Sequence, residues 1–210
     1  MQPDPERDPA HETSPVPERG RPGRRRDPSV DTAVRAAVIE LLAERGWDGV
    51  SMDGVAARAR VGKASIYRRW PSRVQMVADT MRELNRAELE TPDTGSLRGD
   101  LLVVLAAMAS SLRGPLGTAS QALVGVLPHE PELAVAFREG SVGVWAGVLG
   151  AVLGAAVDRG EADPVRLSTV ASEAGPAVLM QRWLLTGQPL DDALVAEVVD
   201  VVVLPLVSAR

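Results

Sequence analysis

The sequence predicts an all-α protein, with a small N-terminal three-helix unit followed by a larger helical bundle. Three observations lead there. Past the first 28 residues, apolar side chains recur at the i, i+3, i+4 spacing of a helical face, and Gly and Pro fall at the ends of those segments. The β-branched run Val198–Val203 has no second run of its kind with which to build a sheet, so it reads as helix too. With 45% apolar residues in 210, the chain can bury a real core.

Residues 1–28 carry Pro, Glu and charge with few apolar side chains, a composition that predicts a disordered tail. They show no basic segment followed by an apolar run, so no signal peptide is expected. Val34, Ala37, Val38, Leu41 and Leu42 form the apolar face of a first helix, with Ser29 or Asp31 as its cap and Gly46 as its stop. Ser51 caps a second helix with Asp53 near its positive end, and Val55, Ala56 and Ala59 face inward. Arg60-Val61-Gly62 makes a tight turn, and Lys63 to Arg69 forms a third helix with Ile66 buried. Trp70-Pro71 breaks it. Ser72 then caps a fourth helix bearing Val74, Val77, Ala78, Met81 and Leu84.

Thr91 to Ser96 holds Pro, Asp and Gly and marks the domain boundary, dividing the chain into 29–90, with its motif at 51–70, and 96–210. The second part predicts helices over about Leu97 to Arg113, Leu116 to Leu127, Pro131 to Arg159, Pro164 to Thr186 and Asp191 to Val207. Gly114-Pro115, Pro128, Gly160, Gly187 and Pro189 punctuate them, and Asp163-Pro164 reads as a cap followed by proline at the first helical position. The uncharged stretch from Gly140 to Val157 is short, rich in Gly and Ala, and bounded by Glu139 and Asp158-Arg159. It predicts a buried helix rather than a membrane span. The final helix is apolar nearly all round, with a thin stripe through Ala193, Glu197 and Asp200, so it needs cover on most sides. A second subunit supplies that cover in one reading, the chain's own core in the other.

Charge is divided unevenly along the chain. Between Arg21 and Arg73 there are 12 basic and 6 acidic residues; from Met76 to Arg210 there are 9 and 17. A basic segment attached to an acidic one is the footprint of a phosphate-binding module with a partner domain. The absence of cysteine excludes disulfides, thiolate catalysis and Cys-based metal sites, and is compatible with a reducing, cytoplasmic setting. The histidines are His11 and His129, no metal-ligand cluster or phosphate loop is present, and no cofactor is expected. An all-helical enzyme is therefore poorly provided for.

The unit from Ser51 to Trp70 pairs two short helices that bury little by themselves, which makes sense if the second is presented to the DNA major groove. Lys63, the only lysine, stands at the start of helix three, where an ammonium reaches a guanine edge or a phosphate. Ala64 and Ser65 are small enough for close approach to base edges. Arg68, Arg69 and Arg73 suit backbone clamping or guanine recognition. The N-terminus of helix two, at Ser51 and Met52, offers free N–H groups to a phosphate. Upstream, Arg19-Gly20-Arg21-Pro22 with Arg24, Arg25 and Arg26 forms a basic arm, suited to minor-groove insertion or to nonspecific phosphate attraction.

The stretch WDGVSMDGVAARARVGKASIYRRWPSRVQMVADTM resembles the helix-turn-helix of the TetR (tetracycline repressor) family. The shared features are Gly46 with an aromatic next, Ser51, Val55-Ala56, Ala59, Val61, Ile66-Tyr67 and Trp70-Pro71-Ser72. Two positions depart from the family's pattern: Arg60 stands where glycine is usual, and Gly62 where a Ser cap is usual. The segments GSLRGDLL, PELAVAFREG and LLTGQPLDDA are similar to one subtype of the family's helical effector-binding and dimerisation domain. The resemblance implies a homodimer paired through the last two helices, a double-stranded operator as partner, a phosphate contact from Tyr67, and a small-molecule effector pocket in each subunit. Met108, Leu112, Gln121, Phe137, Trp145, Met180 and Trp183 are candidates for that pocket by residue type. The function so implied is that of a ligand-responsive dimeric regulator, a repressor released from a palindromic site by a small molecule. A constitutive or architectural DNA-binding protein remains the alternative.

Overall fold

The structure, a computed structural model, describes residues 28–87 and 90–209. The expected basic arm, Arg24, Arg25 and Arg26 included, lies outside them. The fold is all-α; among the described residues the one β feature is an isolated bridge between Ala162 and Ser208. The helices are α1 (Pro28–Arg45), α2 (Met52–Ala59), α3 (Lys63–Tyr67), α4 (Arg73–Ala87), α5 (Leu97–Arg113), α6 (Pro115–Val124), α7 (Pro131–Asp158), α8 (169–186) and α9 (192–207). Helices α7, α8 and α9 each run through a wide π turn, at Arg138–Val142, Arg182–Thr186 and Val198–Val203.

Local chemistry sets most of the boundaries. Ser51, Ser72, Ser96 and Asp191 each accept a hydrogen bond from the N–H three residues on, at 2.9–3.1 Å, and so cap α2, α4, α5 and α9. Gly46 ends α1 at φ 66. Gly114-Pro115 bends α5 from α6 by 74°. Two starts differ from expectation. Helix α1 begins at Pro28, ahead of both Ser29 and Asp31, because proline's fixed φ suits a first helical position. Asp163-Pro164 makes a turn instead of a helix start: the Asp163 carboxylate accepts from the Val165 N–H, and α8 waits for Ser168, whose hydroxyl caps it.

Two apolar clusters hold the molecule. One joins α5, α7, α8 and α9 through Leu101, Leu105, Trp145, Leu149, Leu179, Val199 and their neighbours. The other joins Val34, Leu42, Val55, Ile66 and Met81 to Leu116, Ala119 and Leu123 of α6 and Leu133 of α7. Helix α6 and the head of α7 therefore pack into the same core as the N-terminal helices. Helix α7 is long and apolar enough to cross a membrane. Here one side of it, Trp145, Leu149, Val152, Leu153 and Ala156, is buried in the bundle.

Helices α8 and α9 leave apolar side chains in the open, including Val170 at 75% exposure, Leu185 at 74% and Val201 at 67%. Other exposed apolar side chains, Val103, Val135, Val142 and Val165, lie elsewhere on the surface.

Candidate DNA-reading face and effector cavity

The turn between α2 and α3 is the geometric pivot of the reading head. Arg60 sits at φ 56 and ψ 40, the one non-glycine residue with positive φ among those described, and its N–H closes on Ala56 and Ala57 carbonyls. That left-handed residue lets α3 leave α2 sharply. Gly62 precedes α3 with no side-chain cap. Arg58 fastens α2 to α1 through Glu40 at 2.9 Å and Glu44 at 2.7 Å; the hydrogen bond from Arg58 holds the Glu44 carboxyl below its ordinary range.

Lys63, Ala64 and Tyr67 of α3 and Arg68 just after it all face solvent. Lys63 Nζ lies 2.6 Å from Asp53 Oδ2, and this hydrogen bond raises the lysine's pKa above the ordinary value. Ser51 uses its hydroxyl as the cap of α2, and the Met52 side chain packs partly against the core, so these two offer backbone rather than side chain to the outside.

Arg69, Ser65 and Arg73 are engaged internally. Arg69 Nε lies 2.7 Å from Asp31 Oδ1 with its side chain 9% exposed, and Arg69 also donates to the Ser65 hydroxyl and, at 3.1 Å, to the Ser65 carbonyl. This ties α3 to α1. The Arg73 guanidinium lies 3.9 Å over the centre of the Trp47 ring and donates to the Trp47 and Val50 carbonyls at 3.4 and 3.3 Å. Glu130, just before α7, joins the same group: its Oε1 accepts from Trp47 Nε1 at 3.4 Å and lies 3.9 Å from Arg73. Sequence reasoning did not find Glu130, since nothing local marks its partners.

In the bundle lies a cavity of about 470 Å³, within the range of small-molecule sites. Met108, Leu112, Phe137, Trp145, Met180 and Trp183 all line it. Gln121 does not: it lies on the exposed outer side of α6. Residue type alone did not single out Asn85, Ser141 or Glu173, which also line it. Asn85, on α4, donates to the Met81 carbonyl at 2.8 Å and to Ser141 Oγ, in the π turn of α7, at 3.1 Å. Phe137 and Leu116 line the cavity and also pack with the reading-head core. The cavity and the core of the N-terminal helices thus share walls.

Residues 34–80 match the family described as bacterial regulatory proteins, tetR family, and residues 91–202 match the tetracyclin repressor-like C-terminal domain. The chain is 33% identical over 175 residues to an uncharacterized HTH-type transcriptional regulator of Mycobacterium bovis, covering 83% of this chain and 86% of that one. It is 32% identical over 177 residues to the DNA-binding transcriptional repressor TetR of Mycobacteroides abscessus, covering 83% and 92%. The crystal structure of the TetR family transcription regulator SCO0332 superimposes with a TM-score of 0.67 at 29% identity, covering 81% of this chain and 94% of that one. Proteins of this kind bind DNA, pair through C-terminal helices and respond to small ligands; they are regulators and not enzymes. With both of its parts matched in order, the chain belongs to the TetR family of transcriptional regulators.

Proposed function

We propose that this chain acts in the cytoplasm as a repressor: two copies joined through α8 and α9 hold a palindromic operator, and a small molecule in the cavity releases it. Family membership makes the protein a ligand-responsive, dimeric DNA-binding regulator; the operator, the contacts and the site of release are the proposed part. In this reading residues 29–90 form the reading head and 96–210 the effector and pairing domain. Lys63, Ala64, Tyr67 and Arg68 face the major groove, with the N–H groups at the start of α2 on a phosphate. Ser65, Arg69 and Arg73 hold α3 in place from behind.

The single observation that carries the coupling is the shared wall. Phe137 and Leu116 border the cavity and pack in the reading-head core, and Glu130 links the head of α7 to Trp47 and Arg73. A molecule that moves α7 therefore moves the reading head, provided that it binds the two arrangements with different affinity. A constitutive DNA-binding protein has no use for an apolar cavity that forfeits packing contacts.

The test is a mobility shift on the palindrome beside the protein's own gene. Tyr67→Phe with Arg68→Ala should weaken the shift by at least about tenfold at unchanged melting temperature. Asp53→Asn, which frees Lys63 and removes a negative charge from the same face, should tighten it and steepen its salt dependence. No specific shift by the wild-type chain, or an unaltered one in both variants, refutes the reading.

A further inference from the structure

The side chains around the cavity are selected by chemistry. Between residues 91 and 210 the chain has three aromatic residues, Phe137, Trp145 and Trp183, and two methionines, Met108 and Met180. All five line this one cavity, while the cluster that packs the bundle elsewhere is almost wholly Leu, Val and Ala. Aromatic faces and thioethers are polarisable surfaces that favour flat π systems. Placed together around one cavity, these side chains suit the faces of an aromatic ring.

The charges of the wall are as selective. Among the described residues, no Lys, Arg or His lines the cavity, although this half of the chain is well supplied with arginine. Its one ionisable side chain is Glu173, exposed on the first turns of α8 beside Ser168 and Thr169. A carboxylate or phosphate on the ligand would lose its hydration, find no cation, and approach a like charge. A neutral group escapes that penalty, and a protonated amine at the rim gains a partner.

The buried end has its own polarity. Met81's carbonyl can only accept, so the Asn85 atom facing it is the amide nitrogen, and both amide protons are used there and on Ser141. Asn85 Oδ1 remains as an acceptor and the Ser141 hydroxyl, having accepted, keeps its proton to donate. Both residues are buried and both line the cavity.

We propose, resting on the reading that this cavity holds the effector, that it takes a planar aromatic molecule without negative charge, whose hydroxyl, amide or carbonyl end meets Asn85 and Ser141. Charge at the Glu173 rim is tolerated when positive. The class follows from three independent features of one wall: its aromatic lining, its lack of cations, and its donor-acceptor pair at the closed end.

Calorimetric titration of the full-length dimer with three naphthalenes tests this: 2-naphthalenemethanol (neutral), 2-naphthylmethylamine (cationic) and 2-naphthoate (anionic). The alcohol and the amine should bind, with the carboxylate weaker by at least about 30-fold. Glu173→Gln, an exposed change, should lower affinity for the amine about threefold and leave the alcohol unaltered. Ser141→Ala should weaken the alcohol by about tenfold. Met108→Trp, which fills the cavity, should abolish binding of both. Naphthoate binding as tightly as the amine, no binding of alcohol or amine, or binding indifferent to Met108→Trp each overturns the proposal. An operator shift run with the same compounds separates the two claims. An amine that fills the cavity without releasing DNA refutes the effector reading alone, whereas release by naphthoate through its tighter binding refutes the class alone.

Discussion

The guanidinium of Arg73 lies 3.9 Å over the Trp47 ring, and both side chains approach the same oxygen, Oε1 of Glu130, at 3.9 and 3.4 Å. Three segments are pinned at one point: the turn after α1, the start of α4, and the head of α7. An arginine that reads in the sequence as a DNA contact is also, in the fold, the clasp between the N-terminal helices and α7, which walls the cavity. Arg73→Ala removes the cation–π contact and two carbonyl acceptors' donor, a loss of about 2 kcal/mol. For a chain of this size that lowers Tm by about 4–8 °C. Arg73→Lys restores only part, since an ammonium cannot stack and fork together. A wild-type melt with lost operator binding in Arg73→Ala would move this residue back to the DNA face.

Arg60 carries a strain that a single substitution relieves. At φ 56 its Cβ crowds the following carbonyl, a cost of about 1 kcal/mol that glycine does not bear. Part of the gain is returned as entropy of the unfolded chain. Arg60→Gly is expected to stabilise the protein by about 0.5 kcal/mol in urea unfolding, with unchanged m-value. A destabilised Arg60→Gly would show that the Arg60 side chain contributes more than its backbone costs.

Features set by neighbours along the chain were legible in part. Ser51 and Ser72 bond three residues ahead as caps, and Arg60 takes the left-handed turn. Yet α1 starts at Pro28, ahead of Ser29 and Asp31, Asp163 turns instead of capping a helix, and Ser96 caps α5 although it reads as part of a boundary. What escaped depends on contacts across the fold. Arg69 looks like one more cation of α3 until α1 brings Asp31 to it, and Glu130 looks like a loop carboxylate until Trp47 and Arg73 arrive. Asn85 carried a faint signal, a polar residue four beyond Met81 on the buried side of α4, but its partner Ser141 lies on another helix. Gln121 shows the converse: polarity on a helix next to the cavity says nothing of which side it faces.

Asp100 sets an acid limit. Its side chain is fully buried, which pushes its pKa up, but the N–H and hydroxyl of Thr94 and the Arg159 guanidinium donate to it and hold it below the ordinary carboxylate value. A folded-state pKa depressed below the unfolded one, near 3.9, gives stability that is complete above the unfolded value and is lost as pH falls below it and through the folded value. Glu161, lowered by the Leu97 N–H and by Arg159, acts in the same sense. Asp100→Asn should lower Tm at pH 7, and the gap to wild type should close below about pH 4. A gap constant from pH 7 to pH 3 would mean that the hydrogen bonds matter and the charge does not.

The open apolar side chains of α8 and α9 fit the pairing through C-terminal helices that is general in the family. Val170, Leu185 and Val201 stand exposed on the last two helices, and Asp200 beside Val201 is already paired with Arg98 at 2.8 Å, so its charge is neutralised on that surface. The Arg98 hydrogen bond also holds the Asp200 carboxyl below its usual range, so the ion pair persists to lower pH than an unpaired aspartate would allow. Val201→Glu adds a charge where the single chain leaves water access, so folding of the subunit should be nearly untouched. Between two subunits the same carboxylate would be buried without a cation, and pairing should fail. Sedimentation should then show monomers with wild-type helicity. Operator affinity should drop by at least about a hundredfold, since the second half-site is no longer held at a linked effective concentration. A Val201→Glu chain that stays dimeric would place the pairing surface away from this face.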